Sequence, residues 1–250
     1  MCLKKLINKI ILIVIILSVN FPSINAKDWI LPKLDKKDTS IQQLVKLLPP
    51  QAQLDDPFLI LINRENLLES EPYIPFVYAS NGLPYHEALQ EPLQQLFSAA
   101  EQDGFYYQIV SGYRSFSEQA YNRESRYYSY ISEGLSEAEA TYLTDLFYAP
   151  SNGSEHSSGL AVDLLGINWG GELSVDYQYD PSAIWLAENA HRFGFILRYL
   201  NNKTDITGIN FEPWHFRYVG NPHATFMHEH QLTLEEYLAL ITMRNEQLTH

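Results

Sequence analysis

Past position 2 the sequence contains no cysteine. The body of the chain therefore has neither a disulfide framework nor a thiolate metal site, and any metal must be held by histidine or carboxylate. Positive charge is also scarce: 17 Lys and Arg stand against 30 Asp and Glu, a formal net charge of −13. A surface of that sign repels phosphate backbones, which argues against nucleic acid as a partner and makes the acidity a solubility feature. There is no internal repeat and no low-complexity tract, and the His-Glu-x-x-His pattern of helix-borne zinc proteases is absent. With 46% hydrophobic and 19% charged residues, the chain of 250 has the composition of an ordinary folded domain, with length for one sizeable core plus an extension.

The longest uninterrupted apolar run, Ile10 to Leu17, lies near the start. Lys4, Lys5 and Lys9 precede it, Val19 and Phe21 extend it, and Pro22, Ser23 and Ile24-Asn25-Ala26 follow, ending in a small residue. Basic start, apolar middle and small-residue end predict a secretory signal over residues 1–26. An uncleaved anchor, and so a membrane tether, is the alternative, although the run is shorter than the about 20 apolar residues of a comfortable span. Cys2 precedes the run, on the wrong side for a lipoprotein cysteine. Without the three lysines, 14 basic residues face 30 acidic ones, a net −16. An exported, cysteine-free protein suits the outer, cell-wall face of a bacterial membrane, and a monomer is expected. Residues 27–53 read as a spacer with one apolar stretch, Ile41 to Leu48, and the folded domain is expected over 54–250.

Several helices are marked by their ends. Tyr85 to Asp103 places Leu89, Leu93, Leu96, Phe97 and Ala100 on one face, and Gly104 stops it. Ser115 with Glu118, Ser136 with Glu139 and Thr233 with Glu236 have capping-box spacing. Asp180-Pro181 opens a further helix that runs to Gly194. Strand-like runs are Phe58 to Ile62, Phe105 to Val110, Leu160 to Leu165, Phe195 to Tyr199 and Phe211 to Val219. The order predicts an α+β domain with helices packed on a mainly antiparallel sheet.

Two segments carry metal chemistry. In Ser154-Glu155-His156-Ser157-Ser158-Gly159-Leu160-Ala161-Val162-Asp163, His156 and Asp163 offer nitrogen and oxygen donors. Asp163 is an acid inside an apolar strand, which needs a compensating partner; backbone or an arginine would serve as well as a metal. In Phe211-Glu212-Pro213-Trp214-His215-Phe216-Arg217, His215 supplies a third donor, although a histidine among aromatics is also an ordinary core residue. Two histidines and an aspartate leave a fourth zinc position open, the catalytic rather than the structural pattern, and Glu212 beside them suits a general base. A third segment, Ser111-Gly112-Tyr113-Arg114-Ser115, puts Arg114 at a strand end, where its fork can meet a carboxylate or an oxyanion. His223, His228 and His230 lie in a polar stretch and, with His86, His191 and His250, read as surface or packing residues.

These segments resemble the VanY-type D-alanyl-D-alanine carboxypeptidases, which share a metallopeptidase fold with hedgehog-like domains. The likeness runs through Ser111 to Asn122, Ser154 to Asp163, Trp185 to Tyr199 (WLAENAHRFGFILRY), Ile206 to Gly220 (ITGINFEPWHFRYVG) and Leu234 to Leu238. It implies zinc on His156, Asp163 and His215, Glu212 as catalytic base, and Arg114 steadying the scissile carbonyl. Ser154 and Gln119 are implied substrate contacts, and peptidoglycan stem peptides the implied substrate. One departure is visible: the run Pro150-Ser151-Asn152-Gly153 is a residue longer than the usual Pro-Gly-x, so the loop before His156 is not carried over. An L,D-carboxypeptidase acting on tetrapeptide stems uses the same metal set. An inactive wall-binding module is the non-enzyme alternative, against which the presence of all four site residues speaks.

Overall fold

In the computed structural model residues 29–249 are described; the expected secretory signal lies outside them. The described elements are α1 (Thr39–Leu47), a hairpin of β1 (Phe76–Tyr78) and β2 (Pro84–His86), α2 (Gln90–Gln102), β3 (Tyr107–Ser111), α3 (Phe116–Ser132), α4 (Glu137–Phe147), β4 (Ala161–Gly166), α5 (Pro181–Asn189), β5 (Phe195–Leu197), the short α6 (Thr204–Thr207), β6 (His215–Tyr218), α7 (His223–Glu229) and α8 (Leu234–Leu248). Four strands form one sheet in the order β3-β4-β6-β5, with every neighbouring pair antiparallel. The α+β class expected from the element order is the one observed.

The helix ends follow from local chemistry. Ser115–Glu118, Ser136–Glu139 and Thr233–Glu236 all form reciprocal capping boxes, each satisfying amides that a helix start would leave orphaned. Asp180 caps α5, Pro181 fills its first turn, and a short 3-10 turn carries the chain to Gly194 at φ +85°. At the centre of the sheet every residue of β4 is buried, as in a strand covered on both faces. Val162 and Leu164 face the main core with Leu96, Trp185 and Phe216. Alternation then turns Asp163 to the opposite face, where it pairs in register with Ser111 on β3 and His215 on β6.

Four expectations are corrected. Phe58 to Ile62 is no strand: it holds a 3-10 turn, Pro57–Leu59, followed by irregular chain. Leu59 to Ile62 are buried and Phe58 is half-buried, and the carbonyls of Phe58 and Ile60 accept from the Arg217 guanidinium, so no neighbouring strand is needed for them. The helix expected from Tyr85 begins at Gln90, preceded by a 3-10 turn, because Tyr85 and His86 belong to β2. The last strand is limited to His215–Tyr218, since Glu212 and Pro213 stand in the turn leading into it. Within residues 27–53, α1 buries Val45, with Leu48 and Ala52 just beyond it, in a second core containing Leu238 and Ile241 of α8. This stretch packs as part of the fold rather than as a spacer.

Candidate active site

Three side chains converge where the two central strands face α3 and α4. One ligand-capable atom each from His156, Asp163 and His215 lies within 4.8 Å of the others, and all three residues are buried. His156 stands in a short 3-10 turn ended by Gly159 at φ +66°, a left-handed conformation that glycine adopts without strain. Its Nδ1 lies 2.6 Å from the carbonyl oxygen of Gly112. A carbonyl only accepts, so Nδ1 carries the proton, and the Nε2 lone pair of the neutral ring faces Asp163 Oδ2 at 3.4 Å. His215 is turned the other way: Nδ1 lies 3.1 Å from Asp163 Oδ1, and Nε2 lies 3.5 Å from Glu155 Oε2.

Behind this group lies a buried ionic cluster. Glu155 Oε1 accepts from Arg198 Nε at 2.7 Å and Arg217 Nη1 at 2.8 Å, and Arg198 also forks onto Glu235 at 2.6 and 2.9 Å. None of these four side chains is more than 2% exposed. Against the cost of its burial, the two guanidinium groups hold the Glu155 carboxyl well below the usual carboxylate range. It therefore stays ionised beside His215 Nε2, which favours the proton there and leaves the Nδ1 lone pair for a metal.

Glu212 completes the arrangement, with Oε2 at 3.7 Å from His215 Nδ1. Burial pushes its carboxyl up to about 8, with the Asp163 charge adding to the effect and His215 opposing it. Burial works the other way on His215, but Asp163 and Glu155 outweigh it and push the imidazole up to about 9. Both shifts reflect carboxylates concentrated in a dry site. A divalent cation on the three ligands would reverse that excess, so the donor set and the local charge both fit one.

A cavity of about 530 Å³ opens over these residues, and Arg114, Gln119, Ser154 and Tyr148 also line it. The Arg114 backbone is anchored, its amide donating to the carbonyl of His156 at 3.2 Å. Its side-chain Nε is buried without a hydrogen-bond partner. Gln119 is buried on α3 and donates to the carbonyl of Ala149 at 2.9 Å, leaving its Oε1 without a hydrogen-bond partner. The longer run before Ser154 makes a turn, Gly153 N to Pro150 O at 3.0 Å, and Asn152 pairs with the backbone of Leu68.

The VanY family model, D-alanyl-D-alanine carboxypeptidase, matches residues 84–221, a span containing His156, Asp163, His215, Glu212, Arg114, Ser154 and Gln119. The chain belongs to the VanY family. A D-alanyl-D-alanine carboxypeptidase of Enterococcus faecalis is 40% identical over 180 residues, covering 72% of this chain and 65% of that protein. The putative carboxypeptidase YodJ of Bacillus subtilis is 36% identical, covering 59% and 50%. The chain thus spans about half to two thirds of the length of these curated relatives. Among solved structures, VanYB in complex with D-alanine-D-alanine superposes with a TM-score of 0.66 at 38% identity, covering 72% of this chain and 96% of that one. A VanY D,D-pentapeptidase variant bound to Zn(II) matches equally well, at a TM-score of 0.66 and 38% identity, covering 72% and 98%. The LD-carboxypeptidase LdcB gives 0.61 at 32% identity, covering 76% and 89%.

Within this VanY fold the structure brings together every residue singled out from sequence: His156, Asp163, His215, Glu212, Arg114, Ser154 and Gln119. Sequence reasoning passed over Glu155, Arg198, Arg217 and Glu235. The available signal was Arg217 alternating with His215 on a strand whose neighbours are apolar, since a buried arginine demands a buried acid. The other histidines stand apart: His191 stacks on His228 at 4.0 Å, His230 lies against Phe226, and His223 meets Tyr237 Oη at 2.8 Å. His250 lies outside the described residues.

The cluster yields a first prediction. Glu155→Gln removes the charge that satisfies two buried arginines and lies against His215. The expected result is a lower melting temperature together with metal affinity weakened about tenfold. Thermal melts and chelator competition on one sample check both. A lowered melting temperature with unchanged metal affinity would assign Glu155 to the fold alone.

Proposed function

We propose that this chain is a zinc-dependent D-alanyl-D-alanine carboxypeptidase that removes the C-terminal D-Ala from peptidoglycan stem peptides. The observation that carries this reading is the juxtaposition of a two-histidine, one-aspartate donor set with Glu212 and Arg114 at one cavity. When bound, zinc supplies a Lewis acid that polarises a carbonyl and acidifies water. Glu212, set among those ligands, takes the proton of the attacking water at its carboxylate and returns it to the departing amine. Arg114 brings an unpaired guanidinium to the developing oxyanion. Ser154 and Gln119 offer a hydroxyl and an amide for orienting the peptide. The signal-like segment over residues 1–26 supports action outside the membrane, where such peptides are found.

Mass spectrometry of purified penta- and tetrapeptide stems, incubated with zinc-loaded protein, tests the reading. Loss of one alanine from the pentapeptide is the expected result. Loss from the tetrapeptide alone would assign the L,D activity instead, and no cleavage of either would leave the wall-binding module.

Arg114→Lys separates two roles of the guanidinium. If the fork meets the oxyanion, turnover is expected to fall about tenfold with little change in KM, because lysine keeps charge but not the bidentate geometry. A rise in KM at unchanged turnover would place Arg114 on the substrate carboxylate. In both cases a peptide amidated at its end is expected to be a poor substrate, and equal rates on free and amidated peptides would point to an endopeptidase.

A further inference from the structure

The chain has eight arginines, all among the described residues. Six have acceptors. Arg64 and Arg123 share Asp145, Arg192 bonds Asn189, Arg198 and Arg217 share Glu155, and Arg244 reaches the carbonyls of Pro49 and Ala52. Among the described residues the side chains of Arg114 and Arg126 find no hydrogen-bond or ion-pair partner, and both line the same cavity. With 30 acidic residues against 17 basic ones, acidic partners are plentiful, and two guanidinium groups left to one cavity, Arg126 at its exposed rim, fit an anionic ligand. Arg114 is accounted for at the metal end. Arg126 is not.

Arg126 projects from α3 on the same face as Gln119 and Tyr130, residues seven before and four after it, and all three line the cavity. Its guanidinium lies over the Tyr130 ring, 4.3 Å from the centroid. Such stacking fixes the plane of the fork while leaving its N–H edges free. The Tyr148 hydroxyl, which burial pushes up, is pulled back by both Arg126 and Arg114 and raised further by Glu212, so all three charges surround one wall of the cavity. At a helical rise of ~1.5 Å per residue, Arg126 stands roughly 10 Å along α3 from Gln119. An extended peptide covers that distance in about three residues.

Building on the carboxypeptidase reading above, we propose that Arg126 is a second carboxylate-binding position, a clamp for an acidic group of the stem peptide. A stem peptide with lysine at its third position carries two such groups: its terminal carboxylate, and the α-carboxylate left free on the γ-linked D-glutamate. Taken from Gln119, the implied substrate contact, that three-residue reach fits the glutamate, which lies upstream of the scissile bond, whereas the terminal carboxylate is one residue from it. The clamp would then read the length and the amidation state of the stem.

Steady-state kinetics of wild type, Arg126→Ala and Arg126→Lys on three peptides test this. The peptides are a pentapeptide stem with γ-D-glutamate, the same stem with its α-carboxylate amidated, and a short N-acyl-D-Ala-D-Ala. Wild type is expected to show a KM about tenfold lower for the glutamate stem than for its amide, and Arg126→Ala to erase that preference. Arg126→Lys should keep part of it, having charge without the fork. A KM penalty confined to the glutamate stem assigns the α-carboxylate. An equal penalty on the short peptide, with the stem preference intact, assigns the terminal carboxylate to the same clamp. Unchanged KM values in Arg126→Ala on all three peptides, with wild type active, would overturn the clamp and leave the carboxypeptidase reading standing. Wild type inactive on every peptide would overturn that reading and the clamp with it.

Discussion

Replacing His215 with alanine is expected to strip the purified protein of zinc, which wild type should hold at about one ion per chain. The chain offers no cysteine to substitute for a lost ligand, and the remaining pair, His156 and Asp163, gives two donors where a zinc site takes three or four. His156→Ala should behave alike, because its Nδ1 is committed to Gly112 and only Nε2 faces the site. Alanine in place of His191 or His228, which stack on one another away from these ligands, should leave zinc content unchanged. Metal analysis after dialysis against a weak chelator measures all four variants. Stoichiometric zinc in both ligand variants would remove the assignment.

Glu212→Gln is expected to lower turnover at least about a hundredfold while zinc content and melting temperature stay close to wild type. The substitution is nearly isosteric and removes a buried carboxylate that its surroundings disfavour, since burial and the Asp163 charge push Glu212 up to about 8. The fold therefore gains little from this charge, whereas proton transfer depends on it. The ligand variants and this one fail in different ways: the first lose metal, the second keeps metal and loses chemistry. Wild-type rates in Glu212→Gln would mean that the proton acceptor lies elsewhere.

Several features of the fold are set within short stretches of the chain. Ser115–Glu118, Ser136–Glu139 and Thr233–Glu236 announce helix starts because a capping box is complete within four residues. Donor spacing works on a similar scale: Asp163 follows His156 by seven residues, and Glu212 precedes His215 by three, so each half of the site is contained in one short segment. Asp163 was conspicuous because a carboxylate inside an apolar strand must be compensated.

What lay beyond reach depended on partners far apart in the chain. Glu155 looks like a surface charge beside a histidine until Arg198, 43 residues on, and Arg217, 62 residues on, close over it. Phe58 to Ile62 is apolar enough for a strand, and only the Arg217 fork reaching two of its carbonyls explains why it needs no strand partner. The apolar stretch from Ile41 lies too close to a charged, prolyl-flanked segment to declare itself as a helix, and it gains its stability from α8, nearly 200 residues later in the chain. By itself the sequence determined the class of fold, the helix caps and the donors of the site, because those are set by bonds between near neighbours. The tertiary structure alone decided which nitrogen each histidine presents, which charges stand behind them and where Arg126 faces, because burial and ion pairing over long separations exist only once the chain has closed.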